Sequence, residues 1–177
     1  MVGAPATGPE PPAAPDATDA RLVRARAAAA AVTDPEIPVL TIEDLGVLRD
    51  VRLDGDWVEV LITPTYTGCP AMNLIALEVE IALAKAGFPG SRVRTVLSPA
   101  WTTDWLTPAG RDALRAYGIA PPEQPAGRRG LFGERQPACP RCGATFTEQI
   151  SPFGSTACKS LHRCLTCREP FDAFKCH

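Results

Sequence analysis

Two C-x2-C pairs near the end of the chain restrict its fold more than any other feature. Cys139-Pro140-Arg141-Cys142 and Cys164-Leu165-Thr166-Cys167 are separated by 21 residues. Each pair turns the backbone so that two sulfurs face one point, and together they supply the four thiolates of a tetrahedral metal site. Gly143 suits the first hook, because a residue without a β-carbon lets the backbone fold back toward the sulfur; the second hook has no such glycine. The gap slightly exceeds the ~15–20 residues usual between such pairs, an excess that a hairpin insertion absorbs. A segment this short has too little core to fold alone, so a metal is expected to supply its folding free energy. Phe146, Phe153, Phe171 and Phe174 are the expected apolar cover. Cys158, Cys176, His162 and His177 remain over. They are candidates for a second site, or for exchange with the first set so that an iron-sulfur cluster replaces zinc. A free ending is the plain alternative for Cys176 and His177. A redox dithiol is the rival reading of a single C-x2-C pair, and two pairs at ribbon spacing weigh against it. Spacing does not choose between zinc and iron.

The seventh cysteine stands apart, in Thr63-Pro64-Thr65-Tyr66-Thr67-Gly68-Cys69-Pro70. This loop follows an alternating strand-like run and precedes an apolar-periodic segment that opens at Pro70, where proline suits the first helical position. Cys69 is therefore expected at a helix N-terminus, whose unpaired N–H groups and dipole favour the thiolate, the form that binds metals and attacks electrophiles. The alternative is a buried cysteine acting as a small hydrophobe.

The rest of the chain frames that loop. Residues 1–18 are rich in proline and small residues and are expected to be a disordered tail. Asp19 is expected to cap a surface helix from about Ala20 to Val32, which Thr33-Asp34-Pro35-Glu36-Ile37-Pro38 then breaks. Asp34 and Glu36 fall close together in that turn, where turn chemistry competes with a ligand or docking role. Ile42 to Gly46 reads as a short turn of helix. Val47, Val51 and Leu53 point to one face of a strand. Trp57 to Thr63 forms a second, with Val58, Val60 and Ile62 on one side and an Asp54-Gly55-Asp56 hairpin between the two. After the Cys69 loop, Met72, Ile75, Val79 and Leu83 recur at helical spacing up to Gly87. Arg92 to Leu97 gives a third strand, reached by the helical crossover that parallel strands need. Ser98 to Trp105 forms a second polar and aromatic loop, and Thr107, Pro108 and Gly118 bound a last helix. With the second and third strands parallel, both loops leave the same sheet edge. Trp101 and Trp105 then either wall a shallow site beside Cys69 or cover the end of the core. The expected fold class is α/β (α+β): a small mixed three-stranded sheet in the order α-β-β-α-β-α over residues 19–120. A Pro- and Gly-rich linker at 121–137 leads to a zinc-ribbon-like, cysteine-rich metal-binding module at 138–177.

A formal net charge of -2 and a pI near 5.7 provide no basic field for nucleic acid or an anionic membrane. Protein or small-molecule partners are expected instead, and a homodimer is left open. No apolar run approaches the ~18 residues that span a bilayer, and Arg21, Arg24 and Arg26 interrupt the early Ala-rich stretch. With neither secretory signal nor anchor in view, the expected location is cytoplasmic, where clustered cysteines bind metal more often than they form disulfides.

Asp34-Pro35-Glu36, Asp44-Leu45-Gly46, Thr67-Gly68-Cys69-Pro70 and Ser98-Pro99-Ala100-Trp101-Thr102-Thr103-Asp104 together resemble the small domain of SufT-like iron-sulfur assembly proteins, over about Ala20 to Ala120. Thr65-Tyr66-Thr67 departs from the shorter polar run common in that family. Ser151 to Lys159 and Phe171 to His177 are similar to the PaaD family, the D subunits encoded with bacterial phenylacetyl-CoA epoxidases. The resemblance implies an accessory maturation protein for phenylacetate degradation, which helps to install a metal centre in an oxygenase or reductase without doing the oxygen chemistry. It further implies that Cys69 is the functional thiolate, a transient site for iron or an iron-sulfur cluster, with Asp34 and Glu36 as its acidic turn.

Three functions follow as expectations. The first is iron-sulfur assembly or delivery through Cys69. The second is a structural adaptor whose zinc ribbon docks onto the epoxidase, and the third is electron transfer by a cluster bound in the tail. A hydrolytic or acyl-transfer enzyme is not expected, because no His or Ser stands beside Cys69 in the sequence to activate it.

Overall fold

A hairpin and one crossover build the first sheet. Strand β1 (Leu48–Asp54) runs antiparallel to β2 (Trp57–Ile62), with Gly55 at φ +60° in the turn, and β2 pairs in parallel with β3 (Arg92–Thr95). The sheet order is β1-β2-β3, as the pattern predicts. The computed structural model describes residues 17–55, 57–122 and 136–175. The expected disordered tail up to residue 16, most of the expected linker, Asp56 of the hairpin signal, and the terminal Cys176 and His177 lie outside the described residues.

Helix α1 (Ala17–Ala30) starts and stops earlier than its sequence signals, so Asp19 falls in its first turn rather than before it. Helix α2 (Met72–Lys85) makes the crossover and buries Ile75, Val79 and Leu83. It closes with Phe88 N–H on the Leu83 carbonyl at 2.9 Å and Gly87 N–H on Ala84 at 3.1 Å, with Gly87 at φ +90°. Strand β1 departs from simple alternation. Between Leu48, opposite Ile62, and Asp50, opposite Leu61, one extra residue is inserted. This bulge at Arg49 puts both Leu48 and Val51 on the core face, and Arg49 lies over the Trp105 ring at 3.5 Å.

Helix α3 (Pro108–Tyr117) begins as predicted, with the Thr107 hydroxyl accepting from Gly110 N–H, and ends at Gly118 with φ +93°. The chain then enters a second sheet. Strand β4 (Ile119–Ala120) pairs in parallel with β7 (Pro170–Phe174), and β6 (Lys159–Cys164) and β5 (Thr147–Ser151) complete the order β4-β7-β6-β5. The β5-β6 hairpin accounts for the long gap between the two cysteine hooks.

The cover of the cysteine-rich module differs from expectation. Phe171 and Phe174 are buried, whereas Phe146 and Phe153 are 68% and 64% exposed. Phe174 packs in the first module's core with its ring 6.0 Å from that of Trp101, and Cys158 joins the same cluster. Docking against the first module thus replaces part of the core that the small module cannot build alone. Among the described residues no helix is long and apolar enough to cross a membrane.

Candidate functional site

Four sulfurs converge in the second sheet. Cys139, Cys142, Cys164 and Cys167 place their Sγ atoms within 4.8 Å of one another, with Cys139 to Cys167 at 3.8 Å and Cys142 to Cys164 at 3.6 Å. A single ion with metal–sulfur bonds of ~2.3 Å has a tetrahedral edge of about 3.8 Å, so the set fits one metal. In the first hook Gly143, at φ +74°, donates to the Cys139 carbonyl at 2.9 Å. In the second, Arg168 occupies the matching position after Cys167 at φ +66°, the one described non-glycine residue with positive φ. The hook lacking glycine therefore makes the same turn under backbone strain. The Cys167 N–H reaches the Cys164 sulfur at 3.4 Å, and with the Thr166 N–H it pulls the Cys164 thiol down to about 6. Its neighbour Cys167 is pushed the other way, up to about 11, so the set holds a prepared thiolate beside a protonated thiol.

The second constellation joins the Cys69 loop, the acidic turn and the β5-β6 hairpin. Cys69 is half-buried, while Thr67 and Gly68 beside it are exposed, with Gly68 at φ +86°. Helix α2 begins at Met72, later than Pro70, and Cys69 N–H donates to the Tyr66 carbonyl at 3.3 Å. The expected thiolate is corrected here. Burial pushes the Cys69 thiol above its ordinary value, and the Glu36 and Asp34 carboxylates add to the shift. Hydrogen bonds from Ala71 N–H and the Tyr66 hydroxyl act in the opposite sense without outweighing it. Cys69 still receives the Ala71 N–H at the start of α2, but burial outweighs that donor.

The acidic turn divides its labour. Asp34 Oδ1 accepts from Glu36 N–H and Ile37 N–H, both at 2.8 Å, so it organises the turn. Burial nevertheless raises its pKa. Glu36 instead faces the site, with Oε2 3.7 Å from Cys158 Sγ. Tyr66, bonded to Cys69 and under the field of Glu36 and Cys158, has its hydroxyl pushed up to about 12, chiefly by burial.

Trp101 does not wall this site. It is 6% exposed, its indole N–H donates to the Leu45 carbonyl at 2.8 Å, and its ring meets Phe174. His162 stands apart from the four sulfurs: its Nε2 lies 2.9 Å from Ser160 Oγ and its ring stacks on Phe171. Sequence reasoning misses two residues of this region. Tyr66 reads as an ordinary loop aromatic, and its place three residues before Cys69 is the one signal that points to it. The buried Lys159, 3.7 Å from Asp172 and in the field of Asp34, follows Cys158 directly in the chain.

Comparison with known proteins agrees with this two-part construction. A family profile described as "PaaD zinc beta ribbon domain" matches residues 123–175, and one described as "Iron-sulfur cluster assembly protein" matches residues 23–98. The chain is 50% identical over 145 residues to the Escherichia coli K12 protein named as the putative D subunit of 1,2-phenylacetyl-CoA epoxidase, covering 82% of this chain and 87% of that one. It is 33% identical over 72 residues to "Cytosolic iron-sulfur assembly component 2B" of Dictyostelium discoideum, covering 38% of this chain and 44% of that protein. Among solved structures, a DUF59 domain from Bacillus anthracis aligns with a TM-score of 0.51 and 27% identity, over 55% of this chain and 93% of that one.

Proposed function

The chain belongs to the family of phenylacetyl-CoA epoxidase D subunits, and on that premise we propose that it is a cytoplasmic accessory protein that takes up iron or an iron-sulfur cluster at Cys69 and passes it to the oxygenase or reductase. The observation that carries this reading is the half-buried Cys69 thiol under the field of two carboxylates, Glu36 and Asp34. A sulfur beside carboxylate oxygen suits a borderline-soft transition metal. The exposed Thr67 and Gly68 leave one side of the loop open to a client. Transfer is ligand exchange: client ligands bond to the metal as the Cys69 bond breaks, and the oxidation state is unchanged. The test is Cys69→Ser as the only copy of this protein in cells producing the epoxidase. The purified client is expected to be short of iron while the variant keeps its fold and ribbon metal. A client with normal iron content refutes the reading.

For the cysteine-rich module we propose zinc as the resident metal. Sulfurs this close surround one ion, whereas a multi-iron cluster sets its ligands around a larger body. Colourless, anaerobically purified protein with one zinc per chain is expected; iron and sulfide in a brown preparation overturn the assignment.

A second reading, the structural adaptor, draws on the exposed Phe146, Phe153 and Ile150 of the ribbon. Under it, Cys69→Ser is silent for client iron, while Cys139→Ser or Cys164→Ser abolishes binding to the oxygenase or reductase.

A further inference from the structure

Cys158 belongs to the ribbon in sequence but not to its metal site. It is 5% exposed, it packs with the first module's core, and its sulfur lies 3.0 Å from Thr156 Oγ1 and 3.7 Å from Glu36 Oε2. The loop that carries it is fastened along its length. Gly154 N–H donates to the Lys159 carbonyl at 2.8 Å, Lys159 N–H to Thr156 at 3.1 Å, and Lys175 N–H to Cys158 at 2.9 Å. The Ser155 hydroxyl donates to Asp172 at 2.6 Å, and the Lys175 ammonium to the Ala157 carbonyl at 2.8 Å. A β-carbon on Gly154 would overlap Asp172 Oδ1, so the loop closes down tightly on β7. This anchoring holds one thiol against the acidic turn of the other module. Tyr66 links the two thiols: it is hydrogen-bonded to Cys69 and lies within the field of Cys158 and Glu36.

We propose that Cys158 is a second sulfur ligand of the Cys69 cargo site, with the Glu36 carboxylate as a third donor, so that the ribbon completes this site. The inference rests on the reading of Cys69 as a cargo ligand. Two thiolates and one carboxylate suit a borderline-soft divalent transition metal and leave a coordination position for solvent or a client. Each thiol gives up its proton to solvent as its sulfur bonds to the metal, with no change of oxidation state. The buried Lys159 ammonium, in the field of Cys158 and Asp34, offsets part of the negative charge. Among the described residues, only the four-cysteine set has three or more ligand atoms all within 4.8 Å. The Cys69–Glu36–Cys158 set is looser and must draw together on the ion, which suits a cargo that has to leave.

The test uses the full chain with its ribbon filled by one equivalent of zinc, followed anaerobically by one equivalent of Co²⁺, which binds such donors more weakly than zinc and leaves the ribbon occupied. X-ray absorption at the cobalt edge is expected to count two sulfurs per cobalt in the unaltered protein. One sulfur overturns the proposal and leaves the Cys69 reading standing. No sulfur, or no cobalt bound, overturns both. In parallel, Cys158→Ala and Cys69→Ser are each expected to halve the sulfur-to-cobalt absorption band. Each should also weaken binding by at least the roughly 10–100-fold that loss of an outer-shell partner costs. A Cys158→Ala protein that binds cobalt like the unaltered chain overturns the proposal. The sulfur count needs no variant and stands even where Cys158→Ala fails to fold.

Discussion

The two cysteine hooks offer a comparison within one molecule, because the residue after each pair adopts the same left-handed backbone: Gly143 at φ +74° and Arg168 at φ +66°. A side-chain-bearing residue in that region costs about 1–2 kcal/mol. Replacing Arg168 with glycine removes this cost, while the greater freedom of glycine in the unfolded chain takes back about 0.5–1 kcal/mol. Arg168→Gly is therefore expected to stabilise the module by about 0.5–1 kcal/mol. Gly143→Ala should do the reverse by a similar amount, since nothing lies within 4 Å of an added β-carbon and the backbone term acts alone. Folding and metal binding are one equilibrium in so small a module. The readout is thus the chelator concentration that removes half the metal from the full chain. The expected change is about two- to fivefold, upward for Arg168→Gly and downward for Gly143→Ala. Arg168→Ala retains the β-carbon and should match the unaltered protein. An Arg168→Gly protein that loses metal more readily, or an Arg168→Ala protein as resistant as the glycine variant, refutes the backbone argument.

Gly46, at φ +67°, has the Trp105 Cβ only 2.6 Å and the Trp105 carbonyl oxygen 2.9 Å from where its own β-carbon would stand. Gly46→Ala should cost about 3 kcal/mol or more in urea unfolding, and a loss under about 1 kcal/mol would contradict the packing. Burial opposes ionisation of Asp44, but hydrogen bonds from the Thr41 and Thr107 hydroxyls and the Thr41 N–H outweigh it and hold the carboxyl below its usual range. Its folded pKa lies under the unfolded value, so this stability is complete above about pH 4 and is lost as pH falls through the folded pKa. The stability difference between the unaltered protein and Asp44→Asn should accordingly shrink in acid. Cys69 alkylation, followed by peptide mass mapping, should be slow at pH 7 and accelerate only above the ordinary thiol range, and Glu36→Gln should move that profile to lower pH. Phe174→Ala should cost about 3–5 kcal/mol and shift the unfolding of the first module, since this ring packs against Trp101.

Local signals account for most of the first module. The Ile75, Val79 and Leu83 stripe, the Thr107-Pro108 start and the Gly118 stop each act through neighbours a few residues away, and each holds in the structure. The Arg49 bulge is illegible in the sequence, because it arises from a register mismatch between two strands that only pairing creates. The four-cysteine set can be read because spacing within each hook fixes its geometry. The position of Cys158 cannot, since 122 residues separate it from Glu36 and no local pattern carries that contact. The protonation state of Cys69 escapes for the same reason: the helix start is visible in the sequence, whereas the carboxylates and burial that oppose the thiolate come from the tertiary fold.

Within the four-cysteine set two neighbouring sulfurs hold their protons very differently. Cys164 receives backbone N–H groups and has its thiol pulled down to about 6, whereas Cys167, despite the Glu169 backbone contact, is pushed up to about 11 by burial and by the Cys164, Cys142 and Cys139 sulfurs. Cys158 is pushed up to about 11, first by burial and then by Glu36, despite the opposing Thr156 hydroxyl, and it keeps its proton. A metal entering the four-cysteine site therefore meets a prepared thiolate at Cys164 and displaces a proton from Cys167. Under the proposed reading of Cys69 and Cys158 as ligands, a metal there would displace a proton from each, so its apparent affinity would rise with pH by about tenfold per unit for each proton released.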